Sequence, residues 1–441
     1  MASKTISGLL FTKNLLVKAD ADSFPLMSDP KQIATMKLLD LLASYSYQAN
    51  NVLMLLFATV KMVRLTVQYG LSTTSPSSVA MYGGLVSGVL NDLKAGVHIG
   101  EMSLAMVKRL NGQANESLVI ARTWGFMLGY SRPSHDALKQ YLHGYSEGMK
   151  FGDTEMSSWC LYNHAACSFL IGKPLRTIEE DCRIYIPYMQ DLGWAVVGKG
   201  TTHILQAVSY LSGSDEDLYS ELFEPVEGEP KFSDLTRFMV RSAAYAYSSN
   251  YEDGAEYAIE IGDALKKGAP GHTSLQSDAF TRAVCLYAMA RKTNKQKYKK
   301  PARAIRKIIG NWIKQGSVNT KHQLCLLDAE DEALRNKKDK ASNLYREGIV
   351  TATRQGFLRD AALINERYAN FLLHEVGDKY QAKYHAKQSM KLYSEWGATR
   401  TVERLNTMYH SLTQDNVPDS VYFRGPASNA ANSALTLHSR E

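Results

Sequence analysis

The chain is punctuated at a regular interval. Short turn-like breaks carrying a small or polar residue fall near Asn91, Ser131, Gly172, Gly213, Asn250, Thr293, Asn336 and Gly377. Neighbouring breaks lie roughly 40 residues apart, a period at which self-similarity means stacked helical hairpins. Between breaks the text reads as helix, and no break is followed by a convincing strand. The spacing predicts an all-α fold, an α-solenoid of tetratricopeptide-like helical hairpins. The first helix of each hairpin is expected to line a concave surface that holds a peptide or a partner domain. A chain of 441 residues is too long for one compact core. A repeat array escapes that limit, because each hairpin buries its apolar face on its neighbours.

Local signals agree with the spacing. Met27-Ser28-Asp29-Pro30 reads as a helix entry, with a capping Ser or Asp and Pro in the first turn. Ile33, Met36, Leu38, Leu39, Leu41 and Leu42 follow near helical spacing. A helix from about Asn51 carries Leu53, Leu56, Val60, Val63 and Val67 on one stripe and ends before Gly70. Ser75-Pro76-Ser77 opens another that closes at Leu90, and the next runs from Leu93 to about Leu110. Small residues recur inside helices at Gly96, Gly100 and Ser103, at Ala341 and Gly348, and at Ala382, Ala386 and Ser389. Helical glycine costs about 1 kcal/mol relative to alanine, so this placement predicts the close approach of a facing helix. The organisation expected is a flexible segment or frayed helix over 1–23, a repeat sub-array over 24–211, an acidic loop over 212–233, a second sub-array over 234–413 and a disordered tail over 414–441.

Five cysteines, an odd number with no C-x-x-C pair, argue against a disulfide framework and for a reducing, cytoplasmic setting. Cys160, His164 and Cys167 share one helical face, but zinc needs a fourth group, so core packing is the expectation and no metal or cofactor is assigned. Val52–Phe57 is apolar yet far shorter than the roughly 20 residues a bilayer requires, so no membrane span is expected. No G-x-x-x-x-G-K-[ST] occurs: Gly172-Lys173 is followed by Pro174 and lacks the upstream glycine. The chain also lacks a kinase glycine loop, H-R-D, D-F-G, G-x-S-x-G and His-Glu-x-x-His. No catalytic residue is assigned, and the expected protein is not an enzyme.

The sharpest charge feature is the acid-free run Arg291, Lys292, Lys295, Lys297, Lys299, Lys300, Arg303, Arg306, Lys307, with Tyr298 inside it and Trp312 beyond. Lys297, Lys299, Lys300, Arg303, Arg306 and Lys307 are the candidate patch for phosphate, an acidic protein segment or RNA; the alternative is a solvated outer face of one helix. A net charge of +7 is mild for this length and makes nucleic acid the less favoured partner.

Several signatures between Phe24 and about Leu405 carry a resemblance. They are Pro25-Leu26-Met27-Ser28-Asp29-Pro30, then Lys61-Met62-Val63-Arg64-Leu65 ahead of Tyr69-Gly70, and Gly84 to Asp92 leading into Gly96-Val97-His98-Ile99-Gly100. Glu147-Gly148-Met149-Lys150-Phe151-Gly152-Asp153 precedes Trp159 to Leu170, and the last stretch includes Gly356-Phe357, Glu366-Arg367-Tyr368-Ala369 and Tyr393-Ser394-Glu395-Trp396-Gly397-Ala398. In this order they resemble the long helical region of very large signalling proteins. Those proteins place a serine/threonine-kinase-like domain and an AAA-type P-loop ATPase before that region, and a GAF sensor domain and a histidine kinase after it. The resemblance implies a non-enzymatic scaffold in signal transduction, a module of or partner to such an ATPase or histidine-kinase assembly. Kinase and ATPase activities are not carried over, since their motifs are absent.

Overall fold

The computed structural model describes residues 2–49, 51–111, 115–224 and 232–413. Over these residues the fold is all-α. No strand forms among them, only an isolated bridge between Leu26 and Leu71.

Helices of eight residues or more are numbered here in chain order. They are α1 Ala2–Leu16, α2 Pro30–Gln48, α3 Val52–Tyr69, α4 Ser75–Gly88, α5 Leu93–Arg109 and α6 Glu116–Thr123, the last running on through a π turn at Trp124–Leu128. Next come α7 Ser134–Lys150, α8 Thr154–Ile171, α9 Leu175–Asp191, α10 Ala195–Ser212, α11 Phe232–Tyr247 and α12 Tyr251–Ile261. The last are α13 Ser274–Thr293, α14 Gln296–Lys314, α15 Lys321–Leu334, α16 Lys338–Arg354, α17 Leu358–Phe371, α18 Lys379–Trp396 and α19 Thr399–Met408. The caps are those the sequence announces. Asp29 accepts from the Lys31 amide at 2.9 Å, Asn51 from Met54 at 3.1 Å and Asp92 from Ala95 at 3.1 Å.

Two kinds of helix emerge. Helices α4, α6, α8, α10, α11, α13, α15 and α17 pack each on the next to form an inner row. Their residues are buried on almost every side. Helices α5, α7, α9, α12, α14, α16 and α18 lie outside them, with one buried face and one wet face. The breaks read from the sequence mark where inner helices end. Asn91, Gly172, Gly213, Asn336 and Gly377 have φ of 53, 76, 73, 58 and 85°. Near Asn250 and Thr293 the neighbours Ser249 and Asn294 take that conformation, both at φ 58°, while at Ser131 the helix ends instead on extended Arg132, φ −113°. A left-handed residue stops the helix and turns the chain outward, which Gly and Asn do at least cost.

The row curls back on itself. Thr273 N donates to Gly125 O at 2.8 Å, Val318 N to Tyr130 O at 3.0 Å, and Trp396 Nε1 to Lys173 O at 3.0 Å. Asn319 Nδ2 bridges Gly129 O and Arg132 O at 2.9 and 2.8 Å. The concave surface expected from the sequence is therefore not an open groove. Its walls have met, and side chains fill the space between them.

The expected divisions also change. Residues 2–16 form α1, which buries Leu9 and Leu16 and packs on α3, where the sequence offered a flexible segment or a frayed helix. Of the acidic stretch, Glu216–Phe223 forms two short helical turns that bury Tyr219 and Leu222, while 225–231 lies outside the described residues. The inner row passes beneath it without interruption, from α10 to α11. The apolar interior divides earlier. Among the described residues one cluster spans Leu9 to Met106, a second runs from Ile120 to Tyr409, and a small third of Ala80, Val107, Leu110 and Val119 lies between them in the chain. The tail expected over 414–441 also lies outside the described residues.

Candidate functional site

The basic run occupies the turn after α13 and the outer helix α14. Its charges are largely answered from neighbouring helices. Lys297 Nζ lies 2.5 Å from Glu256 Oε1, which also accepts from Tyr298 OH at 2.6 Å. Arg303 Nε pairs with Asp331 Oδ1 at 2.7 Å, and Arg306 pairs with Asp328 and reaches Asp331 at 3.8 Å. Lys299 donates to its own turn at Asn294. Lys300 and Lys307 are exposed and make no ion pair among the described residues. Arg291 is not on the surface at all: it is buried, with Nη1 2.9 Å from Glu330 Oε2. A run free of acids in sequence is thus interleaved with acids in space. The partners come from α12 and α15, dozens of residues away, where no local signal announces them.

The inside of the curl holds a charged network. Arg359 Nη1 donates to Phe169 O at 2.7 Å and Nε lies 3.2 Å from Asp360 Oδ1. Asp360 accepts from Tyr247 OH at 2.6 Å and lies 2.8 Å from His322 Nε2. Burial pushes the Asp360 carboxyl up, but Arg359, His322 and Tyr247 outweigh it and hold it at about 2. Beside it, Glu330 joins Arg367 at 2.7 Å and Arg291 at 2.9 Å, and these cations overcome burial to hold it at about 2 as well. Both carboxylates here, Asp360 and Glu330, face arginines of the same chain, which is the chemistry of a fastener.

Next to this network opens a cleft of about 570 Å³. Glu366 stands in its wall, accepting from Ser249 Oγ at 2.5 Å, Tyr251 OH at 2.9 Å and Arg404 Nη2 at 3.0 Å. The cleft is polar and its charges are paired.

The cysteine and histidine trio on α8 follows the packing expectation. The Cys167 thiol points to Ser134 O at 3.4 Å, and His164 Nδ1 lies 3.2 Å from Tyr185 OH. Burial pushes the thiols of Cys160 and Cys167 up to about 12. No cluster of three metal-ligating side chains forms among the described residues.

The largest anomaly is apolar. On α2, Leu38, Leu41, Leu42 and Tyr45 recur at helical spacing on the solvent side, with Leu38 69%, Leu41 55% and Tyr45 66% exposed. Leu53, Met54 and Phe57 continue the exposure at the start of α3, the antiparallel neighbour. The sequence places Leu38, Leu41 and Leu42 near helical spacing with Ile33, Met36 and Leu39, and Leu53 on one stripe with Leu56 and Val60. The core face of α2 is instead Ile33, Met36, Leu39 and Ala43. The available signal was that α2 is apolar on two sides, which no single buried stripe requires. Helix α3 is also long and apolar enough to cross a membrane by length and composition alone, with half of that stretch buried inside the protein.

Neither protein-family models nor curated proteins give a match to this chain.

Proposed function

We propose that this chain is a non-enzymatic helical-repeat scaffold for protein–protein interaction, an α-solenoid of tetratricopeptide-like hairpins curled until its interior is filled. The observation that carries the reading is the exposed apolar stripe on α2 and α3. Isolated exposed leucines are ordinary, but a contiguous patch of this kind marks a docking surface. Exposed Lys31, Lys37 and Lys61 lie on the same two helices, so the fitting partner presents an apolar patch with an acidic rim. By the resemblance carried in the sequence, that partner belongs to an AAA-type ATPase or histidine-kinase assembly in the cytoplasm. The basic segment on α14 takes second place as a binding surface for RNA or an acidic partner, because Lys297, Arg303 and Arg306 are ion-paired and, among the described residues, Lys299, Lys300 and Lys307 are the candidates without an ion pair.

Quantitative affinity capture, with and without nuclease, tests the reading by comparing the wild-type chain with Leu41→Glu/Phe57→Glu. Proteins captured regardless of nuclease and lost with the double substitution support it. Recovery of nuclease-sensitive material alone, undiminished in the variant, overturns it.

A further inference from the structure

A second cavity of about 210 Å³ lies where α2, α6 and α8 meet, apart from the exposed stripe and from the charged network of the curl. Its walls combine Met81, Phe126 and Trp159 with one cation, Arg122, and with the carboxylates of Asp40, Asp153 and Glu155, of which Asp153 is engaged by the Met156 amide at 3.0 Å and by the Asn115 side chain. Arg122 is only 7% exposed. Its single hydrogen bond runs from Nη1 to Ser77 O at 2.9 Å, and it makes no ion pair among the described residues. The other arginines that are buried among the described residues, Arg359 and Arg367, each have a carboxylate in contact. A guanidinium taken out of water with one carbonyl acceptor is under-compensated. Burial pulls Arg122 below its ordinary value, and Asp40, Tyr47 and Glu155 oppose this only in part.

We propose that this cavity binds a zwitterionic small molecule of the apolar or aromatic amino-acid type, its carboxylate on Arg122, its ammonium toward Asp40 and Glu155 and its side chain among Met81, Phe126 and Trp159. A planar guanidinium suits a carboxylate, which it grips through two parallel bonds. The three acids lining the cavity disfavour polyanions such as nucleotides, and they supply counter-charge for one amine. Space for an organic body with a few convergent polar groups is the usual build of a small-ligand site.

The test is calorimetric titration of the full chain with L-phenylalanine, L-tryptophan and L-methionine, alongside 3-phenylpropionate and 2-phenylethylamine, which each carry one of the two charges. At least one amino acid binds about tenfold or more tighter than both truncated compounds. Arg122→Met abolishes that binding, and Asp40→Asn weakens the amino acid while leaving 3-phenylpropionate unchanged. Ala121→Phe, which fills the cavity and keeps Arg122, serves as the deciding variant if Arg122→Met does not fold. The proposal is overturned if no amino acid binds, if either truncated compound binds as well as the amino acids, or if binding survives Ala121→Phe.

Discussion

Arg359 Nη1 reaches the carbonyl oxygen of Phe169 at 2.7 Å, although 190 residues separate them. That bond ties the C-terminal end of α8 to the start of α17. The guanidinium is also seated over the rings of Tyr247 and Phe169, 4.6 and 5.3 Å from their centres. Arg359→Met leaves Asp360 buried without its cation and is expected to cost about 3–5 kcal/mol. Urea denaturation reads this directly, and a cost below about 1 kcal/mol would show that the curl closes without this bond.

A close backbone approach lies at the other end of the curl. A Cβ on Gly88 would stand 2.4 Å from Pro270 O, and one on Gly271 would stand 2.8 Å from the Gly88 Cα. Alanine has the better helix propensity, by about 1 kcal/mol. Gly88→Ala should nonetheless lower stability by about 1–3 kcal/mol, since backbone cannot move aside as a side chain can. A rise in melting temperature for this variant would contradict the approach.

Stability should fall with acid in two stages. Burial holds His164 and His385 at about 4, below the ordinary 6.5. The unfolded chain therefore takes up protons first, and stability declines as pH drops from about 6.5 to 4. Asp360 and Glu330 are held at about 2, so their contribution is full above the ordinary carboxylate range and is lost as pH falls through it toward 2. Denaturant midpoints measured from pH 8 to pH 3 check the order. His385→Gln, replacing a ring whose Nδ1 lies 2.8 Å from Asn365 Oδ1, should remove part of the first stage only.

The α14 charges divide into fasteners and spectators. Asp331 is buried and lies within ion-pair distance of Arg303, Arg306 and Arg335. Asp331→Asn is expected to cost about 1–3 kcal/mol by leaving these cations without their common partner. Lys300→Glu/Lys307→Glu should change stability by no more than about 0.5 kcal/mol. Thermal unfolding of both variants separates the two classes, and equal losses would remove the distinction.

How far the sequence reaches follows from the range of its signals. Helix entries at Asp29, Asn51 and Asp92 and exits at Asn91, Gly172, Asn336 and Gly377 are local chemistry, a cap or a left-handed residue within a turn of the helix end. They were legible. What the helices do to each other was not. The contact of Phe169 with Arg359 depends on curvature accumulated over nine helices, and nothing near either residue encodes it. The pairing of the α14 charges was hidden for the same reason: Glu256 and Asp331 reach Lys297 and Arg303 from other helices. The exposure of the α2 stripe was not legible, because Leu38 and Leu41 are chemically identical to core leucines. Only the second stripe, Met36 and Ala43, shows which face is inside.

The central claim is that the helical row closes on itself and leaves no open groove. Small-angle X-ray scattering of the monomeric chain in dilute solution tests it most directly. Compact-domain scaling for this length gives a radius of gyration of about 22 Å, and closure predicts a value within a few ångström of that. A radius well above roughly 30 Å, with the flat, elongated profile of an extended array, would contradict it.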